Sequence, residues 1–406
     1  MDPSRPVRPL PDRSPPLIHS EWRAFSLWCP TPLQRCYRWL HLADDSLELA
    51  KRRMFVVTAV AWLPLFVFSA VGRRVATGAH VPFLLDLDLQ ARLLVALPLL
   101  IAGEVVVHRR MPIVVRQFVE RRIVAGEARV AFDAAVGSAL ARSQSVVVEM
   151  VLLLCVYTVG FSIPVSTASL TGSTWYAQPS DASMVLTPAG WWFFIVSRPL
   201  FQFVLLRWYY RFFVWNRFLW QVSRLRLHLI PTHPDRRAGL GFVFALSDVF
   251  APFLLAHGAL VAGRVANGVV HAGLTLSHYE LELVAIPAGA ILLVLCPEFV
   301  FALTLWRTKL TGLRQYGIFA QRYVREFDHK WLHPQTPAAE GLLGSPDIQS
   351  LADLANSFDV VQQLRLLPTR DTILRLALFA AAPLAPLPLA VVSGRELLER
   401  LVKMML

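Results

Sequence analysis

The chain has 406 residues, of which 55% are hydrophobic, and its mean hydropathy is +0.49. Soluble domains are usually about 45–50% apolar, so an ordinary soluble domain is excluded. The net charge of +12 comes mainly from arginines that stand beside long apolar segments. That placement indicates that the arginines bind phospholipid headgroups and set the membrane topology, and it argues against a nucleic-acid partner.

The N-terminal arm, residues 1–53, contains no apolar segment long enough to cross a membrane. Residues 1–18 hold six prolines and scattered arginines, a composition that predicts disorder. Residues 20–53 hold three tryptophans among arginine and leucine, which is typical of a segment in the headgroup zone. The first long apolar run begins near Met54, so we expect no cleaved signal peptide and an uncleaved first span.

Six apolar segments follow, each long enough to cross a hydrocarbon core about 30 Å thick. A seventh, at 374–392, carries Pro383, Pro386 and Pro388, each of which removes a backbone donor. It predicts either a broken span packed inside the bundle or a re-entrant hairpin. The expected fold class is all-α, a polytopic membrane bundle of six to seven spans with helices extending into a cytosolic layer. The six predicted spans are 54–72, 91–108, 145–165, 190–208, 240–263 and 283–306.

The connections between the predicted spans are alternately rich and poor in lysine and arginine along the chain. Cytoplasmic connections of membrane proteins carry an excess of both residues. The poor connections hold Arg73, Arg74 and Arg92 in the first, none across 166–189, and Arg264 alone in the third. We therefore expect a multi-pass protein of the cytoplasmic (inner) membrane with a cytoplasmic N-terminus. The rich segments are 1–53 with nine cations, 109–144 with seven, 207–237 with seven, and 307–375 with nine.

The cytosolic connections have helical rather than loop patterns, and the bundle at 54–308 is followed by a cytosolic helical segment, 309–372. Residues 345–365 begin with Ser345 as a cap and Pro346 in the first turn. The last segment, 373–406, combines the proline-broken run with an amphipathic tail. The extending helices are predicted at 109–144, 209–230 and 310–331, and the apolar face of 345–365 consists of Ile348, Leu351, Leu354, Phe358 and Val361.

The stretch LIPTHPDRRAGLGFV (229–243) contains the tripeptide His-Pro-Asp that J-domain co-chaperones use. A J-domain continues with a soluble helix, whereas here a membrane span follows, so the chaperone interpretation is rejected. One hypothesis makes the stretch a helix start at the membrane surface, with Thr232 or Asp235 as the cap and Pro234 in the first turn. In this hypothesis Arg236 and Arg237 lie at the headgroup boundary, and Gly239 and Gly241 let a neighbouring helix approach closely. The other places His233, Asp235 and Arg236 at a cytosolic mouth, where they bind an anion or pass protons.

Spans two to six each contain one ionisable residue. Such residues are rare in lipid and usually face the interior of the bundle. Counting 1.5 Å per residue from the flanking arginines places all five in the inner half of the membrane. They form either structural ion pairs around one shared arginine or a permeation or ligand site, of which Asp248 and Glu298 are the deepest members. The five are Glu104, Glu149, Arg198, Asp248 and Glu298.

Other kinds of site are not predicted. The four cysteines are Cys29, Cys36, Cys155 and Cys296, and their spacing matches neither a metal site nor a redox pair. No nucleotide-binding loop, zinc-protease motif or serine-nucleophile motif is present. We therefore assign no catalytic residue, no metal and no cofactor.

Three stretches carry a resemblance to known proteins. HPDRRAGLGF (233–242), LLGSPDIQSLADLANSFDVV (342–361) and the tail ELLERLVKMML (396–406) resemble a group of bacterial polytopic inner-membrane proteins. That group has an HPDRAGGLGFL-like signature and a C-terminal DIQSLADL-NSF run, and the resemblance covers roughly residues 50–406. It implies location and fold rather than an activity. The chain departs from the signature at Arg237, where the pattern has a small residue, which weakens an expectation of close backbone packing there.

Three functional hypotheses follow. The leading one is a bundle that moves or senses a small solute or ion through an inner-leaflet polar layer. The second is a non-transporting scaffold that uses its basic amphipathic helices. The third is a membrane-embedded enzyme acting on a lipid headgroup. The expected partners are anionic lipid headgroups at the cytosolic face and further copies of the chain in a homo-oligomer.

Overall fold

The computed structural model describes residues 47–162, 174–180, 183–333, 341 and 345–387. About 79% of the structure is helical, and the predicted all-α class is confirmed. The arm and interfacial segment before residue 47 and the amphipathic tail lie outside the described residues. The helices are α1 (Leu47–Val71), α2 (Leu87–Glu120), α3 (Ala128–Ser143), α4 (Val146–Ser162), α5 (Pro188–Ser223), α6 (Gly241–Ala272), α7 (Leu276–Leu332), α8 (Pro346–Gln362) and α9 (Arg370–Ala381). A short antiparallel hairpin, β1 (Ala177–Ser180) with β2 (Ser183–Leu186), stands between α4 and α5.

Five helices are long and apolar enough to cross a membrane. They are the Lys51–Val71 part of α1 together with α2, α5, α6 and α7. Helices α3 and α4 meet at a bend of 44° and together meet the same criteria as a sixth. The chain is therefore a membrane protein of five to six candidate spans within the described residues.

Several helices run well past the predicted ends of their spans. Helix α7 has 57 residues and is about 85 Å long, against a hydrocarbon core of about 30 Å. Helix α5 ends at Ser223 rather than at residue 230 as the sequence pattern suggested. The chain beyond it holds Pro231 and Pro234, which lack an N–H and disfavour helical geometry in the residue before them. Residues 224–240 instead form an irregular connection into α6.

Helices α2 and α5 share a local irregularity with a common cause. Each contains a wide π-helical turn, Ala91–Ala96 in α2 and Phe193–Ser197 in α5. In both cases a proline, Pro98 or Pro199, stands two residues after the turn. Because proline has no N–H, the carbonyl group four residues before it receives no helical hydrogen bond from that position. The wide π-helical turn accommodates this missing bond.

Helix α6 forms the centre of the bundle. In its span 61% of the residues are buried, against 22% in the span of α1. Close approach to α6 is possible because Gly258 lies against the backbone of α9 and Gly263 lies against Ala91 of α2. Phe253 of α6 is fully buried, and the centre of its ring lies 5.5 Å from that of Trp208 of α5.

The two ends of the bundle differ in charge. At the end we call the basic end, the start of α1, the ends of α2 and α5, residues 224–240 and the second half of α7 come together. Their contacts include a hydrogen bond from His228 N–H to the Ile123 carbonyl at 2.8 Å, and Pro231 packed against Gly312. Most of the lysines and arginines among the described residues lie at this end.

The opposite end is closed by the β-hairpin region and the connection between α1 and α2. The Trp175 indole N–H donates to the Asp86 carboxylate at 2.9 Å, and the Leu87 N–H donates to the Asn267 side chain at 3.1 Å. A single parallel bridge joins Val81 to Thr174. These contacts tie α2, α6 and the hairpin together.

Helix α8 packs along the second half of α7. Its predicted cap is confirmed, since the Ser345 hydroxyl accepts a hydrogen bond from the Asp347 N–H at 3.2 Å. The predicted apolar face is only partly buried, because Val361 is fully buried while Ile348 is 47% exposed.

The predicted seventh segment begins as helix α9 and continues as a short 3-10 turn at Ala382–Leu384. Arg375 and the residues around it pack against α6, and Pro383 lies next to Gly258. Residues 388–392 of the segment lie outside the described residues. The described part is a short helix seated on the bundle and is not among the candidate spans.

Candidate functional site

Glu104 is the best-enclosed carboxylate of α2. Its side chain is 6% exposed, and its two oxygens accept hydrogen bonds from two arginines of other helices. Arg211 Nη1 of α5 lies 2.5 Å from Oε1, and Arg53 Nη2 of α1 lies 3.1 Å from Oε2. One carboxylate therefore joins three helices.

A third arginine stands beside the same carboxylate. Arg207 is 94% buried, and its charge acts directly on Glu104. Among the described residues no hydrogen bond or ion pair to Arg207 is formed. We refer to Arg53, Glu104, Arg207 and Arg211 as the arginine cluster. Of its members, Arg207 is the buried cation that no hydrogen bond or ion pair reaches among the described residues, and a buried charge that lacks such contacts is costly.

The local sequence explains why the cluster forms at this position. Arg207 and Arg211 are four residues apart, so they lie on one face of α5. Gly103, next to Glu104, allows α5 to come close, because a Cβ on it would stand 3.0 Å from the Trp208 ring. The Trp208 indole N–H donates to the Leu100 carbonyl at 3.1 Å. These contacts fix the α2–α5 spacing directly beside the carboxylate.

A second buried carboxylate lies between α6 and α7. Glu298 is fully buried and accepts hydrogen bonds from Ser247 Oγ at 3.0 Å and from Arg237 Nη1 at 3.5 Å. The Arg237 guanidinium lies 3.6 Å from the centre of the Phe244 ring. We refer to Arg237, Ser247 and Glu298 as the Glu298 cluster. With one cation on one anion it is electrically balanced, as expected of a structural pair.

The remaining three residues of the predicted polar layer have other surroundings. Asp248 pairs with Arg375 of α9 at 3.4 Å, and both side chains are about half exposed. Arg198, predicted as the shared partner of the acids, instead lies 5.6 Å from the centre of the Phe194 ring. Glu149 has one buried oxygen without a hydrogen bond among the described residues. The structure thus brings Asp248 near the Glu298 cluster, and it does not join the five residues in one network.

The His-Pro-Asp loop is held together by Asp235. Its Oδ1 accepts from the backbone N–H groups of Arg237 at 2.8 Å and Gly239 at 3.1 Å, and its Oδ2 accepts from Gly241 at 2.9 Å. His233 Nδ1 lies 2.9 Å from Oδ1. The carboxylate therefore binds the N–H of Gly241, the first residue of α6, but the helix begins six residues after Asp235, so Pro234 is not in its first turn as the helix-start hypothesis predicted.

Two further details of that hypothesis need correction. Gly241 was expected to admit a neighbouring helix, but the group that comes close is the Asp235 carboxylate, 2.9 Å from where a Cβ would stand. Arg237 was expected at the headgroup boundary, but it is 7% exposed and reaches inward to Glu298. Arg236 has a φ of 53°, and its carbonyl accepts from the Arg365 N–H at 2.8 Å.

The protonation of Asp235 follows from these contacts. Burial raises the pKa of the carboxyl group, but the hydrogen bonds from Arg237, Gly241 and Gly239 outweigh it, and the pKa lies below 3.8. Because the folded pKa is depressed, the carboxylate contributes stability that is present above about pH 3.9 and lost as pH falls through the folded value.

Replacing Asp235 by asparagine is expected to lower the free energy of unfolding by about 1–2 kcal/mol near neutral pH. The wild type loses the same contribution in acid, so the difference between the two proteins should shrink below about pH 4. Denaturant titration in mixed micelles at both pH values measures it. Asp371→Asn, at an exposed position in the first turn of α9, is the control and should cost a few tenths of a kcal/mol. A difference of unchanged size in acid would contradict the capping role.

No family model, curated protein or solved structure matches this chain. Function therefore has to be inferred from the buried charges themselves. Among the described residues no group of histidine, cysteine, aspartate and glutamate is arranged to hold a metal ion. Cys155 and Cys296 are free thiols.

Four of the important side chains were not predicted from the sequence as site residues. Arg53, Arg207, Arg211 and Arg237 were counted only as topology signals at the ends of spans, although the last three are more than 90% buried. One signal was available for two of them. Arg207 and Arg211 are one helical turn apart in the aromatic run RWYYRFFVW, and a repeat of that kind points to a shared helix face.

Proposed function

We propose that the protein binds a small oxyanion, a phosphate or carboxylate group, at the arginine cluster and that it transports or senses the solute carrying that group. The observation that supports this proposal is Arg207, a buried arginine beside Glu104 that forms no hydrogen bond or ion pair among the described residues. A bound anion would supply the hydrogen-bond acceptors for its guanidinium group.

The chemistry of arginine suits such a ligand. Guanidinium groups present several N–H donors in a planar fork that matches phosphate and carboxylate oxygens. Glu104 would keep Arg53 and Arg211 in fixed orientations, and Arg207 would be the principal donor to the ligand. The Arg53 side chain, 13% exposed, marks the side of the cluster nearest to solvent.

We further propose that the basic end faces the cytoplasm and that the membrane is the bacterial inner membrane. The excess of lysine and arginine at that end supports this orientation. The resemblance of the motifs at 233–242 and 342–361 to bacterial inner-membrane proteins supports the location. Both motifs lie at the basic end, where Pro231, just before the first motif, and Val361 of the second pack against Gly312 of α7.

Two kinds of ligand carry a phosphate group of this chemistry: a free solute, and the headgroup of an anionic phospholipid. The two are separated by preparing the full-length protein in nanodiscs of phosphatidylcholine alone or with phosphatidylglycerol, each with and without inorganic phosphate. Stabilisation by phosphate in the neutral nanodiscs identifies a solute site. Stabilisation only by phosphatidylglycerol identifies a lipid site.

Arg207→Gln is the decisive variant. The loss of one charge-assisted hydrogen bond is worth about 1.5–3 kcal/mol, so the affinity for the stabilising anion should fall about 10- to 100-fold. Arg226→Gln removes the same charge from an exposed position just beyond α5 and should change the affinity less than about threefold. Binding is measured by the dependence of thermal unfolding on phosphate or lipid concentration.

The proposal fails if neither anion stabilises the wild type, or if Arg207→Gln and Arg226→Gln weaken binding equally. Once anion binding is established, an uptake experiment in proteoliposomes distinguishes transport from sensing. Uptake of radiolabelled phosphate that is lost in Arg207→Gln supports transport. Binding without uptake supports sensing.

A further inference from the structure

The second half of α7 carries a groove on one helix face. Its lining residues recur every three or four positions, as required for a single face. Three of them are arginines, and with the neighbouring Glu326 the groove carries a net charge of +2. Ile318, at the centre of the groove, is 64% exposed. The main lining residues are Arg314, Ile318, Gln321, Arg322, Arg325 and His329.

Helix α8 of the same chain occupies the opposite face of α7. The Tyr323 hydroxyl donates to the Asp347 carbonyl at 3.1 Å, and Lys330 Nζ lies 2.7 Å from the Asp347 carboxylate. At the other end of α8, Val361 lies against Gly312. The two helices are therefore antiparallel, and α8 runs over the same length of α7 as the groove. Its own α8 reaches only the edge of the groove, where Phe358 lies 3.9 Å from the place of a Cβ on Gly317, and it leaves Arg314, Ile318 and Arg322 exposed.

The outward face of α8 is acidic. The helix contains three aspartates and no lysine or arginine. Asp353 and Asp359 are exposed. Asp353 accepts a hydrogen bond from the side chain of Gln349, and Asp359 accepts one from the side chain of Gln363, each four residues away. This face has charge opposite to that of the α7 groove.

We propose that the outward face of α8 in one copy of the chain docks in the α7 groove of a second copy. A membrane holds all copies at the same depth, so only surfaces at equal height can meet. Interpolation between the Asp347 contacts with Tyr323 and Lys330 and the Val361 contact with Gly312 places Asp353 at about the height of Gln321, beside Arg322, and Asp359 near the height of Arg314. The acidic and basic residues thus match in height without any tilt of the second copy.

The lengths also agree. From Arg314 to His329 the groove extends about 22 Å, and the 17 residues of α8 extend about 25 Å. The contact uses a different surface on each copy, so rotation about an axis normal to the membrane closes the copies into a ring. Because the paired charges are exposed, raised salt should weaken the assembly.

Charge reversal in the full-length protein tests the proposal. Native mass spectrometry from detergent should show a wild-type oligomer, and Arg322→Glu or Asp353→Arg should each raise the apparent dissociation constant by about tenfold or more. The double variant Arg322→Glu with Asp353→Arg restores opposite charges and should recover the oligomer. Arg370→Glu, an exposed reversal at the start of α9, should leave the mass unchanged.

Three outcomes would overturn the proposal. If the wild type is monomeric, no second copy docks in the groove. If the oligomer persists in both single variants, its interface lies elsewhere. A double variant that stays dissociated shows that the two residues do not face each other. None of these outcomes depends on the anion binding proposed for the arginine cluster.

Discussion

Glu104→Gln is expected to lower the free energy of unfolding by about 3–5 kcal/mol, the cost of breaking a buried pair by removing one partner. The variant keeps the shape of the side chain but removes the buried negative charge that Arg53 and Arg211 contact and that Arg207 stands beside. In the wild type Glu104 contacts two of them, at 2.5 and 3.1 Å, across 107 and 51 residues of chain. Chemical denaturation in mixed micelles measures the loss.

Glu282→Gln is the matched control for that experiment. Glu282 pairs with Arg264 at 2.6 Å, but the side chains are 33% and 62% exposed. An exposed pair contributes about 0–1 kcal/mol, so the same chemical change should have a small effect. If Glu104→Gln costs no more than Glu282→Gln, then Glu104 does not organise the three arginines as described.

Gly258→Ala is expected to destabilise the protein by about 1–3 kcal/mol through overpacking. A Cβ on Gly258 would stand 2.1 Å from the Ala380 carbonyl oxygen and 3.0 Å from Pro383 Cδ. The first neighbour is backbone and cannot rotate away, so the end of α9 has to move off α6. The expected sign is notable because alanine favours a helix over glycine by about 1 kcal/mol.

Gly289→Ala supplies the comparison, because a Cβ there meets nothing within 4 Å. That variant should be neutral or stabilising by up to about 1 kcal/mol. Trypsin cleavage after Arg375, which pairs with Asp248 of α6, should become faster in Gly258→Ala and stay unchanged in Gly289→Ala. Equal stability and equal cleavage of the two variants would show that α9 does not pack on α6 at this glycine.

Local sequence rules were sufficient for most of the helices. Apolar length identified the helices that can cross a membrane, and helical periodicity indicated their extensions. It missed the break at residues 121–127 in the predicted helix 109–144 and the end of α5 at Ser223. The Ser345-Pro346-Asp347 start of α8 was read correctly because an N-terminal cap depends on residues within one turn of each other. Asp235 was identified as a capping candidate for the same reason, since all three of its backbone donors lie within six residues.

The partners of the buried charges could not be predicted in this way. Arg198 and Arg211 are both arginines of α5, yet only Arg211 reaches Glu104. The choice depends on the rotation of α5 against α2, which is set by the approach of Trp208 to Gly103. Counting 1.5 Å per residue predicts how deep a residue lies along the membrane normal. It does not predict which side of the helix the residue faces.

The sequence by itself determined the class of protein, the positions of its long apolar helices and the basic character of one end, because these depend on composition and on period along the chain. Only the tertiary structure decided that Arg207 and Arg211 turn inward, that Arg237 leaves the surface for Glu298, and that α8 and the α7 groove lie at one height. Those features depend on helix rotation and on contacts between distant segments, and such contacts are fixed by packing rather than by local pattern.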